Sequence, residues 1–123
     1  MLKSKLLSAN QRLNNCEVQD SAHVCKGDTG EYVSRIQQAL IRIDNAKIAD
    51  AELSASRYGE STAAAVLRYK TPRKIINTTY QKSADDIVGK MTIKKLDEEM
   101  LVFERGVSDE FFAIGLRSRR RQF

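Results

Sequence analysis

The groups from which this chain could build chemistry are sixteen carboxylates, one histidine and two cysteines. A glycosidase needs two carboxylates facing each other across a cleft. No pair here is set apart for that work: most acidic residues sit beside basic neighbours, and the adjacent Glu98 and Glu99 diverge on a helix. His23 has no second histidine to join it, and Cys25 lies only two residues away on the same loop. Nucleophile–base pairs are generally assembled by the fold from distant segments. Three ligands of this kind also fall short of the four that a structural zinc site needs. The expectation is a non-catalytic chain with no metal and no cofactor. Cys16 and Cys25 could close a short disulfide loop in an oxidising compartment, and two reduced thiols fit the sequence equally well.

Binding chemistry is better supplied. Planar aromatic, amide and guanidinium side chains suited to a glycan or a peptide gather around residues 57–81: Arg57, Tyr58, Tyr69, Arg73, Asn77, Tyr80 and Gln81. The last three belong to a loop that follows a helix, a common place for recognition. Tyr58 and Tyr69 occupy positions that also suit core aromatics.

A threefold recurrence positions these groups. Gly30, Gly59 and Gly89 stand 29 and 30 residues apart, and each opens a helical apolar pattern. Val33, Ile36, Leu40 and Ile43 form one stripe at helical period, and Ile93, Leu96, Met100 and Phe103 repeat the spacing. The middle segment, Ala63 to Tyr69, is rich in helix formers and is expected to stop or kink near residue 70, ahead of Pro72. Each glycine is expected to turn the chain into its helix at positive φ, with Asp28 and Thr29 offering acceptors to the first helix. Ile87 and Val88 suit short extended backbone. A leading helix over residues 4–14 would pack through Leu6, Leu7 and Leu13. The reading is an all-α, mostly helical compact bundle of three main helices with an added N-terminal helix and a C-terminal tail.

These three segments, taken together, resemble the peptidoglycan-binding domain family of cell-wall proteins. Gly27-Asp-Thr-Gly30 followed by Val33, Ile36-Gln37 and Leu40 is similar to the family's opening. Tyr58-Gly59-Glu-Ser-Thr62-Ala-Ala-Ala65-Val66-Leu-Arg-Tyr69 is similar to its middle motif, and Asp86-Ile-Val88-Gly89-Lys-Met-Thr92 with Leu96 to its close. The resemblance covers about residues 26–100. It implies a three-helix module that targets wall-cutting enzymes to peptidoglycan without catalysis of its own. The loop from Asn77 to Asp85 is longer than the family's linker. Residues 1–25 are then a leading helix and loop, residues 26–104 the peptidoglycan-binding-like domain, and residues 105–123 a basic tail.

Charge follows the same division. The net charge is +5, yet residues 27–104 carry equal numbers of basic and acidic side chains, so the excess lies at the two ends. A nucleic-acid-binding domain would place it on the folded part, and nucleic acid is not the expected partner. Phe111, Phe112, Ile114 and Leu116, followed by clustered arginines, suit a docking segment for a partner protein. The alternative function is therefore an adaptor that keeps the fold and binds through residues 105–123, in a secretion or phage-like assembly. No apolar run is long enough to span a membrane, and the first nine residues make a poor signal peptide. A periplasmic or cell-envelope location is expected if the wall-binding reading holds.

Overall fold

The computed structural model describes the backbone of residues 1–75 and 85–117, and the side chains as far as Gly106 except that of Asp20. The described chain is mostly helical and contains no strand. Six helices follow one another: α1 (Lys5–Ser8), α2 (Gln11–Val18), α3 (Glu31–Asp44), α4 (Asp50–Ala55), α5 (Glu60–Arg73) and α6 (Lys90–Arg117), with a 3-10 turn over Asp20–Ala22. α3 packs against α5 and α6, α2 packs against α6, and α1 packs against α2, α3 and α6.

The two periodic stripes enter the core as their spacing requires. Val33, Ile36 and Leu40 of α3 and Ile93, Leu96 and Met100 of α6 are buried, whereas Ile43 and Phe103, at the ends of the stripes, are half-buried. Extended backbone is limited to two antiparallel bridges, Val24 with Val88 and Thr29 with Arg57. Val88 is fully buried in the first of them. The second is part of a short pairing in which Gly30 N–H donates to the Ser56 carbonyl at 3.1 Å and Tyr58 N–H to the Asp28 carbonyl at 2.9 Å. It brings the entrances of α3 and α5 side by side.

Several local expectations change. The leading helix is split: α1 ends at Ser8, and Asn10 starts α2 as an N-cap whose side chain accepts from Leu13 N–H. α5 runs through Pro72 to Arg73 and ends at Lys74 in the left-handed conformation. A proline in the last turn removes one helical hydrogen bond, to the Arg68 carbonyl, without breaking the helix. Gly30 does take positive φ, at 148°. Gly89 does not, and neither does Gly59, whose φ is −105° and whose requirement lies elsewhere, as described below. Asp28 does not cap α3; its carboxylate accepts from Cys25 N–H at 3.0 Å, and α3 has no side-chain cap.

Residues 1–25 share the core of the rest. Leu2, Leu7, Leu13, Cys16 and Val24 are all buried in it. Four successive amides at the chain start are taken by two carboxylates of α6. Asp97 accepts from Lys3 and Ser4 N–H at 2.9 and 2.8 Å, and Glu104 from Lys5 and Leu6 N–H at 2.8 and 3.0 Å. The two acids are seven residues apart, two turns on one helix face. At the other end, α6 runs unbroken through residue 105 as far as Arg117, so the backbone of the basic segment begins as a continuation of the third main helix.

Because Leu13 is completely buried, Leu13→Ala is expected to cost about 2–5 kcal/mol. Urea unfolding should show one transition moved to lower denaturant. A loss below about 1 kcal/mol would mean that residues 1–25 are an appendage and not part of the body.

Candidate functional site

α5 carries or adjoins every described residue that the sequence marks for binding, so its surroundings define the site. Its N-terminal amides are capped from a distance. Glu52, in α4, is buried and accepts from Gly59 N–H at 3.0 Å, Ser61 N–H at 3.0 Å, Thr62 N–H at 2.9 Å and the Thr62 hydroxyl at 2.8 Å. Those amides would otherwise be orphans of the first helical turn. Burial by itself raises the Glu52 pKa, but the hydrogen bonds from Thr62 and Ser61 outweigh it and lower the value to about 2. The Glu52 carboxylate passes so close to the backbone that a Cβ on residue 59 would lie 2.6 Å from its carbon and 2.7 Å from an oxygen. This approach, not an unusual φ, is why glycine stands there. Thr62 in turn accepts from Gln37 Nε2 at 2.9 Å, and the same nitrogen donates to the Arg57 carbonyl at 3.0 Å. One buried relay thus joins α3, α4 and α5.

The far end of α5 is equally committed. Arg73 makes a forked pair with Glu99 of α6, Nε to Oε2 at 2.7 Å and Nη2 to Oε1 at 2.8 Å. Its guanidinium also lies 3.8 Å from the centre of the Tyr69 ring. The Tyr69 hydroxyl donates to Glu99 at 3.1 Å, and Asp44 of α3 stands 3.8 Å from Arg73. The hydrogen bond from Arg73 holds the Glu99 carboxyl below its ordinary pKa, while burial pushes the Tyr69 hydroxyl well up. Tyr58 is buried too, its hydroxyl donating to the Asp86 carbonyl, and burial followed by the charge of Asp86 raises its pKa. Lys70, also buried, reaches Asp85 and donates to the Ile87 carbonyl at 2.8 Å.

The candidate residues therefore divide. Arg57 and Tyr58 precede α5 and Tyr69 and Arg73 lie in its last turns, roughly 20 Å apart along the axis at 1.5 Å per residue. Tyr69 and Arg73 are brought together, but both are bound up with Glu99. Tyr58 faces inward. Arg57 is exposed. Asn77, Tyr80 and Gln81 lie outside the described residues.

A surface not marked in the sequence reading opens on the other side of α5. Asp44, Ala64, Leu67, Arg68, Thr71 and Pro72 line a groove of about 530 Å³. A smaller hollow of about 170 Å³ adjoins it, sharing Asp44, Ala64 and Arg68 and adding Lys47 and Ser61. Ala64, Leu67, Arg68 and Thr71 fall at i, i+3, i+4 and i+7, one helix face. The available signal was that α5 is apolar on more than one side, so that a single core-facing stripe could not absorb it.

The two cysteines are free thiols in the structure, and the disulfide that the sequence left open is not formed. Cys16 is buried with its sulfur 3.5 Å from the Val88 carbonyl, and burial raises its pKa to about 11. Cys25 is half-buried and is raised by burial and then by Asp28. Among the described residues no three His, Cys, Asp or Glu side chains converge to hold a metal ion, and no helix is long and apolar enough to cross a membrane. No family model matches the chain, and no match to it is found among curated proteins or solved structures.

Two predictions follow from these environments. A carboxylate whose folded pKa is depressed stabilises above its unfolded value near 4.5, and that contribution is lost as pH falls through about 2. Glu52→Gln should cost about 2–3 kcal/mol at pH 7 and flatten the fall in stability between pH 4.5 and 2, as followed by urea titration at each pH. An unchanged acid limb would show that Glu52 is not the group responsible. Ellman's reagent should modify Cys25 in the native protein and Cys16 only on unfolding, because a buried thiol that stays protonated is unreactive.

Proposed function

We propose that the chain is a non-catalytic module that binds the peptidoglycan of the bacterial cell wall. The observation that carries this reading is the relay from Gln37 through Thr62 to Glu52. Gln37 belongs to the first of the three glycine-led motifs and Thr62 to the second, and the relay makes them parts of one buried structure. The third motif joins through Val88, Thr92 and Leu96, all buried. The residues that carry the family resemblance thus act as mutual packing partners, which supports a three-helix arrangement of the peptidoglycan-binding type with α3, α5 and α6 as its main helices.

The two carboxylates held below their ordinary pKa support binding over hydrolysis. Glu52 and Glu99 are held ionised by donors already in place, whereas a general acid needs a raised pKa and a free proton to give. On this reading the protein works in the periplasm or cell envelope, and the groove beside α5 is the surface that meets the wall.

A second reading, a protein-interaction adaptor, draws on one feature: α6 continues as helix to Arg117, well beyond Met100, the last fully buried side chain among the described residues of that helix. In that case residues 105–123 dock a partner protein.

Sedimentation with purified sacculi tests the first reading. At low salt most of the protein should pellet with the sacculi, and a chain ending at Glu104 should pellet equally well. Protein that stays in the supernatant while its circular dichroism remains helical would refute wall binding. Loss of pelleting on trimming alone would move the binding surface to the C-terminal segment.

A further inference from the structure

α5 buries Ala63, Ala65, Val66 and Tyr69 in the core and draws two polar side chains in with them. Its inner face buries Thr62 and Lys70, while its outer face leaves Leu67 41% exposed together with Ala64 and Pro72. The groove along that outer face has an unusual set of unspent groups. Arg68 and Lys47 form no ion pair with any described residue, although Arg73, Lys70 and Arg35 are all paired. The Arg68 carbonyl has lost its helical donor, because residue 72 is proline and has no N–H. Asp44 is the one carboxylate, shared with Arg73 at 3.8 Å. No aromatic side chain lines either hollow.

This lining discriminates between the two halves of the wall polymer. Sugars are commonly held by a flat ring laid against their C–H faces, and the groove offers none. A peptide brings what it does match: amide N–H groups for a carbonyl without its usual helical donor, carboxylates for a guanidinium and an ammonium, and small aliphatic side chains for Ala64, Leu67 and Pro72. Asp44 can meet an ammonium on the same ligand. Resting on the cell-wall reading above, we propose that the groove beside α5 takes the peptide stem of peptidoglycan, a short amide chain with free carboxylates, and not its glycan.

Four probes decide this when titrated into the full chain by calorimetry and amide chemical shifts: a soluble muropeptide, its peptide alone, the peptide with its carboxylates amidated, and glycan chains stripped of peptide. The free peptide should bind within about threefold of the muropeptide and shift residues 64, 67, 68 and 71, and amidation should weaken it at least about tenfold. Stripped glycan should shift none of them. Arg68→Gln, on an exposed position, should weaken the peptide by about tenfold with the fold unchanged. Pro72→Ala restores a donor to the Arg68 carbonyl and should weaken the peptide several-fold while leaving the protein at least as stable.

Stripped glycan that binds as tightly as muropeptide and moves the same amides would overturn the assignment, as would undiminished affinity in Arg68→Gln. Sacculi that pellet the protein while the free peptide fails to bind would overturn the groove and leave the wall reading standing. A peptide that binds while sacculi do not would uphold the groove's chemistry and remove the wall reading.

Discussion

The carboxylate of Glu52 is the constraint around which the middle of the molecule is arranged. It replaces an N-cap that the sequence does not provide, since Gly59 has no side chain to offer. Two oxygens take three amides and one hydroxyl, and hydrogen bonds to an ionised group contribute about 1.5–3 kcal/mol each. That is enough to hold a charge away from water and to fix three things together. α4 is held against the start of α5, residue 59 is restricted to glycine, and Thr62 is turned so that it can accept from Gln37. A shorter acid at position 52 would not span the gap, and an amide could not accept on both sides. The relay also leaves Gln37 Oε1 buried without a partner, a local cost of about 1–3 kcal/mol that the better-satisfied members outweigh.

The same device recurs on α6. Asp97 and Glu104, each using both oxygens, gather the free amides of residues 3–6, and Asn14 accepts from Leu2 N–H at 2.9 Å while donating to the Ser8 carbonyl at 2.9 Å. α1 has only four residues, far below the length at which a helix persists unaided. It exists because its amides are met by acids already fixed on a long helix and because Leu7 is buried among α2, α3 and α6. The polar contacts set the register and the apolar ones supply the stability.

This separates what could be read in the sequence from what could not. α3 and α6 were legible because their buried residues keep a helical period and their outer faces are charged. The bridge at Val88 and the burial of Tyr58 and Tyr69 followed from apolar type at motif positions. What escaped depends on contacts between distant residues. Nothing near Lys3 points to Asp97, and nothing near Gly59 points to a carboxylate seven residues earlier. Pro72 looked like a stop because proline costs most inside a helix, but in a last turn it removes a single bond. The binding residues were chosen by type, and type misled: Tyr69 and Arg73 have suitable chemistry but spend it on Glu99 and on each other.

α5 explains why the groove was hidden and why it suits recognition. The run of small helix formers in α5 marks no single buried face, so its outer side could not be told from its inner one. The polar contacts at either end hold Thr62 and Lys70 inward beside Ala63, Ala65, Val66 and Tyr69, and Leu67 and Arg68 are left outside. The outer face is then carried on a helix fixed at one end by Glu52 and at the other by Arg73 and Glu99. A ligand laid along it meets a surface already in place and need not order a loop, which removes one of the main costs of association. The charges on that face are Arg68 and Lys47, both exposed and so screened by salt, and the half-buried Asp44.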